Sequence, residues 1–130
     1  LDQIEATVRA DPRGHALPNG WRRAPHFRLP LPGAESHMEA GFRVARRLLD
    51  AASELHERAT DGEARLRVVV GHGGSLRHAS VHLGAVPLDR VSLISMDHVA
   101  PVVLEAPPAG PWKHVLGEWK PRSQPRGGAA

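Results

Sequence analysis

Arg65-Leu66-Arg67-Val68-Val69-Val70-Gly71-His72-Gly73-Gly74-Ser75-Leu76-Arg77 is the stretch on which the reading of this chain turns. A β-branched run bounded by a glycine turn predicts a strand buried on both faces, as in a parallel sheet. Gly71-His72-Gly73-Gly74 predicts a tight turn, and Ser75 to Leu83 a helix with Leu76, Ala79, Ser80 and Leu83 facing inward. Gly84 ends that helix as a cap. A glycine-rich turn between a buried strand and a helix is a physical anion site. Its backbone N–H groups can approach an anion closely, and the helix N-terminus adds partial positive charge. His72 stands where a side chain would meet a bound phosphate, able to donate to a phosphoryl oxygen or accept the group covalently. The plainer alternative is a histidine that bonds loop carbonyls.

Upstream, Ser36-His37-Met38-Glu39 has the spacing of a capping box, so a helix is expected to begin there. Met38, Phe42, Ala45, Leu48 or Leu49, Ala52 and Leu55 recur at helical spacing, and the helix should end near Arg58, before Thr60-Asp61-Gly62. Residues 1–10 place Leu1, Ile4 and Val8 on one face of a short helix that Asp11-Pro12 stops. Residues 11–34 hold five prolines and three glycines and predict a long loop. Downstream, Val91 to Ser95 and Val99 to Glu105 predict two strands with a hairpin turn at Asp97-His98, and Trp112 to Trp119 a short last strand. The sum is an α/β layered domain. A strand of the Val68–Val70 kind needs neighbours on both sides, and the two later strands do not supply both. The expected sheet is therefore incomplete.

Composition narrows the chemistry. The chain has 130 residues, 41% hydrophobic and 24% charged, within the range of an ordinary folded domain. It has no cysteine, which excludes disulfides, thiol catalysis and cysteine-ligated zinc. No run approaches the roughly 18 apolar residues of a membrane helix, so no membrane partner is expected, and the expected location is cytoplasmic. The formal charge of +3 invites a nucleic-acid reading, but Lys120, Arg122 and Arg126 lie in the last eleven residues, where no acid stands. Residues 1–119 are neutral, with 14 charges of each sign. The expected division is a folded portion over 1–119 and a disordered basic tail over 120–130, with no nucleic-acid partner. A second basic stretch, Arg9 to Arg28, has five arginines against Asp11 and reads as a solvated loop.

Val68-Val69-Val70-Gly71-His72-Gly73-Gly74-Ser75-Leu76-Arg77 resembles the second signature of the histidine phosphatase (phosphoglycerate mutase-like) superfamily: an apolar strand, His-Gly-Gly, two residues and Arg. Pro32-Gly33-Ala34-Glu35-Ser36 resembles that family's Pro-Gly-Gly-Glu-Ser, Arg43 matches an arginine on the helix that follows, and Leu83-Gly84-Ala85-Val86-Pro87-Leu88 resembles its Leu-Gly-Leu-Pro segment. The landmarks stand in the family's order over about residues 32–105. The resemblance implies a three-layer α/β/α phosphoglycerate mutase-like fold and a phosphomonoesterase or phosphomutase acting on a phosphorylated small molecule, without cofactor or metal. In that family one histidine, in an Arg-His-Gly motif, attacks phosphorus and becomes phosphohistidine. The second, here His72, stabilises the phosphoryl group as catalytic partner, and the N–H of Gly73 binds phosphate beside it. Glu35 is expected to fix the helix entry rather than to donate the proton.

The departure is large. The chain has no Arg-His-Gly: Arg13-Gly14-His15 has another order, and Arg77-His78-Ala79 falls on a helix after the second signature. By the family's motif order the sequence, which starts with Leu1, is expected to enter after the first strand, leaving the fold incomplete and the chain inactive alone. The alternative is a noncatalytic remnant that binds a phosphorylated ligand, or an oligomer or protein partner through an exposed sheet edge. His78 and His82, four apart, lack the glutamate of the zinc-protease pattern and read as packing or surface residues. Gly71 to Ser75 also resembles a lipase oxyanion loop, but no Gly-x-Ser-x-Gly elbow follows.

Overall fold

Helix α2 (His37–Arg58) organises the molecule. In the computed structural model, which describes residues 2–59 and 63–123, it is the longest element and the first with a complete start signal. The Ser36 hydroxyl accepts from the Glu39 N–H at 3.1 Å and the Glu39 carboxylate accepts from the Ser36 N–H at 2.8 Å. Both halves of the expected capping box are thus present. The buried face carries Met38, Gly41, Ala45 and Ala52. Phe42, expected inward, is 53% exposed, and of Leu48 or Leu49 it is Leu48 that packs on the core while Leu49 is 48% exposed.

Helix α3 (Gly73–His82) packs across α2 through small residues. At Gly41 the contact is so close that a Cβ would stand 2.6 Å from the His78 backbone carbon. The core is correspondingly small: Ala45, Ala79 and Leu83, with Val44, Leu48 and Trp112 against them. Gly84 terminates α3 as expected, with φ +82° and its N–H donating to Val81 O. The Leu83 carbonyl then accepts from the Trp112 N–H, which ties the last third of the chain to the helix.

Helix α1 (Asp2–Arg9) is short and buries Val8. The Leu1 expected on its inner face lies outside the described residues, as does the Thr60-Asp61-Gly62 breaker. Arg22, in a single 3-10 turn (Trp21–Arg23) within the long loop, holds α1 through Glu5 at 2.7 Å and Asp2 at 3.2 Å.

The strands differ from expectation. Two antiparallel two-stranded sheets are present: β1 (Ile94–Ser95) with β4 (Lys120–Pro121), and β2 (Val103–Glu105) with β3 (Lys113–Leu116). The predicted hairpin at Asp97-His98 does not form, because its two arms pair with later segments instead of with each other. Most of Val91–Ser95 is a 3-10 helix (Leu88–Leu93) instead of a strand. Lys120 to Ser123 are not a loose tail: Lys120–Pro121 pairs with β1, and the Arg122 N–H donates to Leu93 O. The rest of the predicted disordered tail, 124–130, lies outside the described residues.

The largest correction concerns Arg65–Val70. This segment joins no ladder among the described residues, and Leu66, Val68 and Val70 are 78%, 78% and 91% exposed. The buried central strand of the expectation is here an apolar stretch without neighbours. A strand is defined by its partners, and neither small sheet reaches it. The observed architecture is thus mixed helix and small antiparallel sheets, an α/β arrangement in the general sense.

Candidate functional site

His72 occupies the N-cap position of α3 with extended backbone (φ −75°, ψ 130°), and its side chain makes no capping bond. The imidazole is exposed. The His72 carbonyl is engaged, accepting from the Leu76 N–H and the Ser75 hydroxyl, each at 3.0 Å. The first N–H groups of a helix have no partner within it, so those of Gly73 and Gly74 are open to an incoming acceptor. Neither glycine is demanded by the fold. Both lack positive φ, and an added Cβ would meet Met96 at 3.5 Å or His37 at 3.9 Å, ordinary contacts. What the absent side chains leave is close access to the amides.

The turn borders a groove of about 630 Å³ whose walls are Val68–Gly73 on one side and the Met96–Pro101 loop on the other. That loop brings Asp97 and His98 to the same groove as His72. As a sequence the pair signals only a turn, and nothing in its spacing points toward His72. Lys120 neutralises Asp97 at 2.7 Å. In the same loop Val99, fully exposed, has φ +59°, a left-handed conformation that β-branched residues rarely adopt.

The other residues of the expected signature are placed around, not in, this groove. Glu35 accepts from Arg43 at 2.8 and 3.2 Å, and that guanidinium holds its carboxyl below the usual carboxylate range. The pair staples the entry of α2, a local role for both. Arg28 pairs with Glu39. His78 is buried, with Nδ1 donating to Gly74 O at 2.7 Å, and His82 Nε2 donates to Met38 O at 2.7 Å. Each histidine is spent on packing, and among the described residues no group of three or more His, Cys, Asp or Glu could hold a metal ion.

Arg77, the last residue of the signature, is 6% exposed and donates through Nη1 to Ile94 O. It locks α3 to β1 and so sets the position of the Met96–Pro101 loop opposite His72. Burial pulls its guanidinium down to about 10, still cationic at neutral pH, with Arg122 and Arg23 adding repulsion. Arg77 lines a second cleft instead of the His72 groove.

The chain matches no protein-family model, no curated protein and no solved structure. Among the described residues no helix is long and apolar enough to cross a membrane.

Proposed function

We propose that the His72 turn is the phosphate-stabilising half of a histidine-phosphatase-type site, in a phosphomonoester hydrolase or phosphomutase working through a phosphohistidine. The observation that carries this reading is an exposed imidazole at the start of α3, beside two half-buried glycines that the fold does not require and whose N–H groups have no backbone acceptor among the described residues. In such a reaction a nucleophilic histidine nitrogen bonds to phosphorus as the ester P–O bond breaks, and the leaving oxygen takes a proton from an acid. Water then attacks phosphorus, breaks the P–N bond and releases phosphate. His72 would donate a hydrogen bond to the phosphoryl oxygens as charge builds on them, with the Gly73 N–H beside it. Preorganised donors supply much of phosphoryl-transfer catalysis.

The sequence has no Arg-His-Gly, so the nucleophile on this reading comes from outside these 130 residues. The expected result is that this chain alone hydrolyses p-nitrophenyl phosphate no faster than background. The sequence encoded before Leu1 is expected to hold an apolar strand followed by Arg-His-Gly. The chain extended to include it should turn over substrate, with His72→Ala lowering kcat by roughly a hundredfold or more. Turnover by the 130-residue chain alone would sink the reading, as would an extended chain indifferent to His72→Ala.

A second reading has its own observation. The bare apolar segment Leu66–Val70 is a template for strand pairing. A noncatalytic module that holds a phosphorylated ligand at the turn and a partner protein along that segment would use both features. It predicts phosphate binding with no turnover, even in the extended chain.

A further inference from the structure

Arg77 lines a cleft of about 530 Å³ that the phosphatase reading does not use. Four arginines line it: Arg22 and Arg23 from the long loop, Arg77 from α3 and Arg122 from the segment after β4. They are brought together from distant parts of the chain, and the convergence is held by one backbone bond and one bond from a side chain to the backbone. The Arg122 N–H donates to Leu93 O, and Arg23 Nη2 donates to Ser123 O at 2.8 Å.

The charges in this cleft do not balance. Arg22 is neutralised by Glu5 and Asp2. Glu35 is the one carboxylate among the described lining residues, and Arg43 already occupies it through two bonds. Arg23, Arg77 and Arg122 have no carboxylate partner among the described residues. Arg77 Nε and Arg122 Nη1 are fully buried without any hydrogen-bond acceptor. A guanidinium so deeply buried as Arg77 is normally paired, because the desolvated charge is otherwise costly. Here its nearest charged neighbours are themselves cations, and those pull its proton affinity down instead of up. His37, which also faces the cleft and stacks on His78 at 5.0 Å, is pushed toward its neutral form by burial. It therefore offers a hydrogen bond, not a fourth charge.

We infer that this cleft is a binding site for a compact oxyanion of two or more charges, a phosphate or pyrophosphate group, held by Arg23, Arg77 and Arg122. Guanidinium groups suit the role because each presents a planar fork of donors to tetrahedral oxygens. Two aromatic residues also line the cleft, Trp21 and Phe27, with ring centroids 6.0 Å apart. The Arg22 guanidinium lies over the Trp21 ring at 5.5 Å, so the anionic group has partly apolar surroundings for the remainder of a phosphorylated molecule. Its anion-binding residues are not those of the His72 turn, although His37 borders Gly74, and it requires no chemistry.

Calorimetric titration of the 130-residue chain with inorganic phosphate and with pyrophosphate, at constant ionic strength, tests the inference. Saturable binding is expected, tighter for pyrophosphate, with a matching rise in melting temperature. Arg122→Gln and Arg23→Gln should each weaken it roughly tenfold or more, the usual loss for one charge-assisted bond. Arg46→Gln, on the exposed face of α2, should change it less than about twofold, since a remote surface charge is screened. Arg77→Gln is the more direct variant, but Arg77 also locks α3 to β1, so the half-buried Arg23 and Arg122 decide the outcome, Arg122 foremost because Arg23 also bonds Ser123 O. Absence of saturation, or equal losses in the Arg46 and Arg122 variants, would overturn the inference. If His72→Ala abolishes binding while Arg122→Gln leaves it intact, the anion sits at the turn. The cleft then fails while the proposed function gains, and the two ideas are told apart.

Discussion

His78, four residues before His82 on one helix, reads in the sequence as a packing or surface residue, and at 1% exposed it is a packing one. Its neutral form fits: Nδ1 donates to Gly74 O, while Nε2 is buried with no partner. A proton added at Nε2 would be a buried donor without an acceptor and would face Arg77, His37 and Arg122. Burial, followed by those cations, lowers the imidazole to about 4. Because the folded value lies below the unfolded one, the unfolded chain takes up the proton first as pH falls. The contribution of neutral His78 is complete above the ordinary histidine range and is lost as pH falls from about 6.5 toward 4, by up to about 3 kcal/mol. Urea unfolding at pH 7.5, 6 and 5 should show this loss, and the difference between pH 7.5 and 5 should shrink in His78→Gln. An unchanged pH dependence in that variant would assign the loss elsewhere. Gly41 belongs to the same contact. Alanine there gains helix propensity but drives a Cβ to 2.6 Å from His78, so Gly41→Ala should destabilise by about 1–3 kcal/mol, visible as a lower urea midpoint.

At the scale of elements, what was legible depended on whether the signal was local. The start of α2 is written in four consecutive residues, Ser36 to Glu39, and both reciprocal bonds form. Ser36→Ala should therefore lose about 1 kcal/mol, measured by chemical unfolding, and Ser36→Asp should recover most of it. The end of α2 at Arg58, the Gly84 stop and the helix after the glycine turn were legible for the same reason. Strands were not. Val91–Ser95 and Val99–Glu105 carry β-type residues, but which segment each pairs with depends on chain reversal through Gly110 and Gly117, far along the sequence. Burial of Arg77 was equally hidden, since its acceptor is the Ile94 carbonyl, seventeen residues on. Within the candidate site, His72 and its glycines could be read because turn, histidine and helix are contiguous. The Asp97-His98 loop, and the convergence of Arg23 and Arg122 beside Arg77, required tertiary structure.

At the scale of the whole molecule, large apolar side chains stand in solvent together. Leu66, Val68 and Val70 are 78%, 78% and 91% exposed, on one segment that makes no backbone–backbone hydrogen bond among the described residues. Beneath it runs a further groove of about 290 Å³ walled by Leu48, Leu55 and Trp112, apolar residues that a paired and seated strand would cover. Apolar side chains and free backbone donors on the same stretch give two reasons to pair, and a second chain satisfies both at once. The expected behaviour of the isolated chain is therefore concentration-dependent association, detected by sedimentation velocity across a hundredfold range. Val68→Lys with Val70→Lys should weaken it without lowering the unfolding midpoint, because those side chains contact little in the monomer. If the isolated chain stays monomeric throughout, or the double variant associates as strongly, then Leu66–Val70 is not the surface that holds a neighbour. The contact surface would then be sought at the other exposed apolar residues, Val115 and Leu116 of β3 foremost.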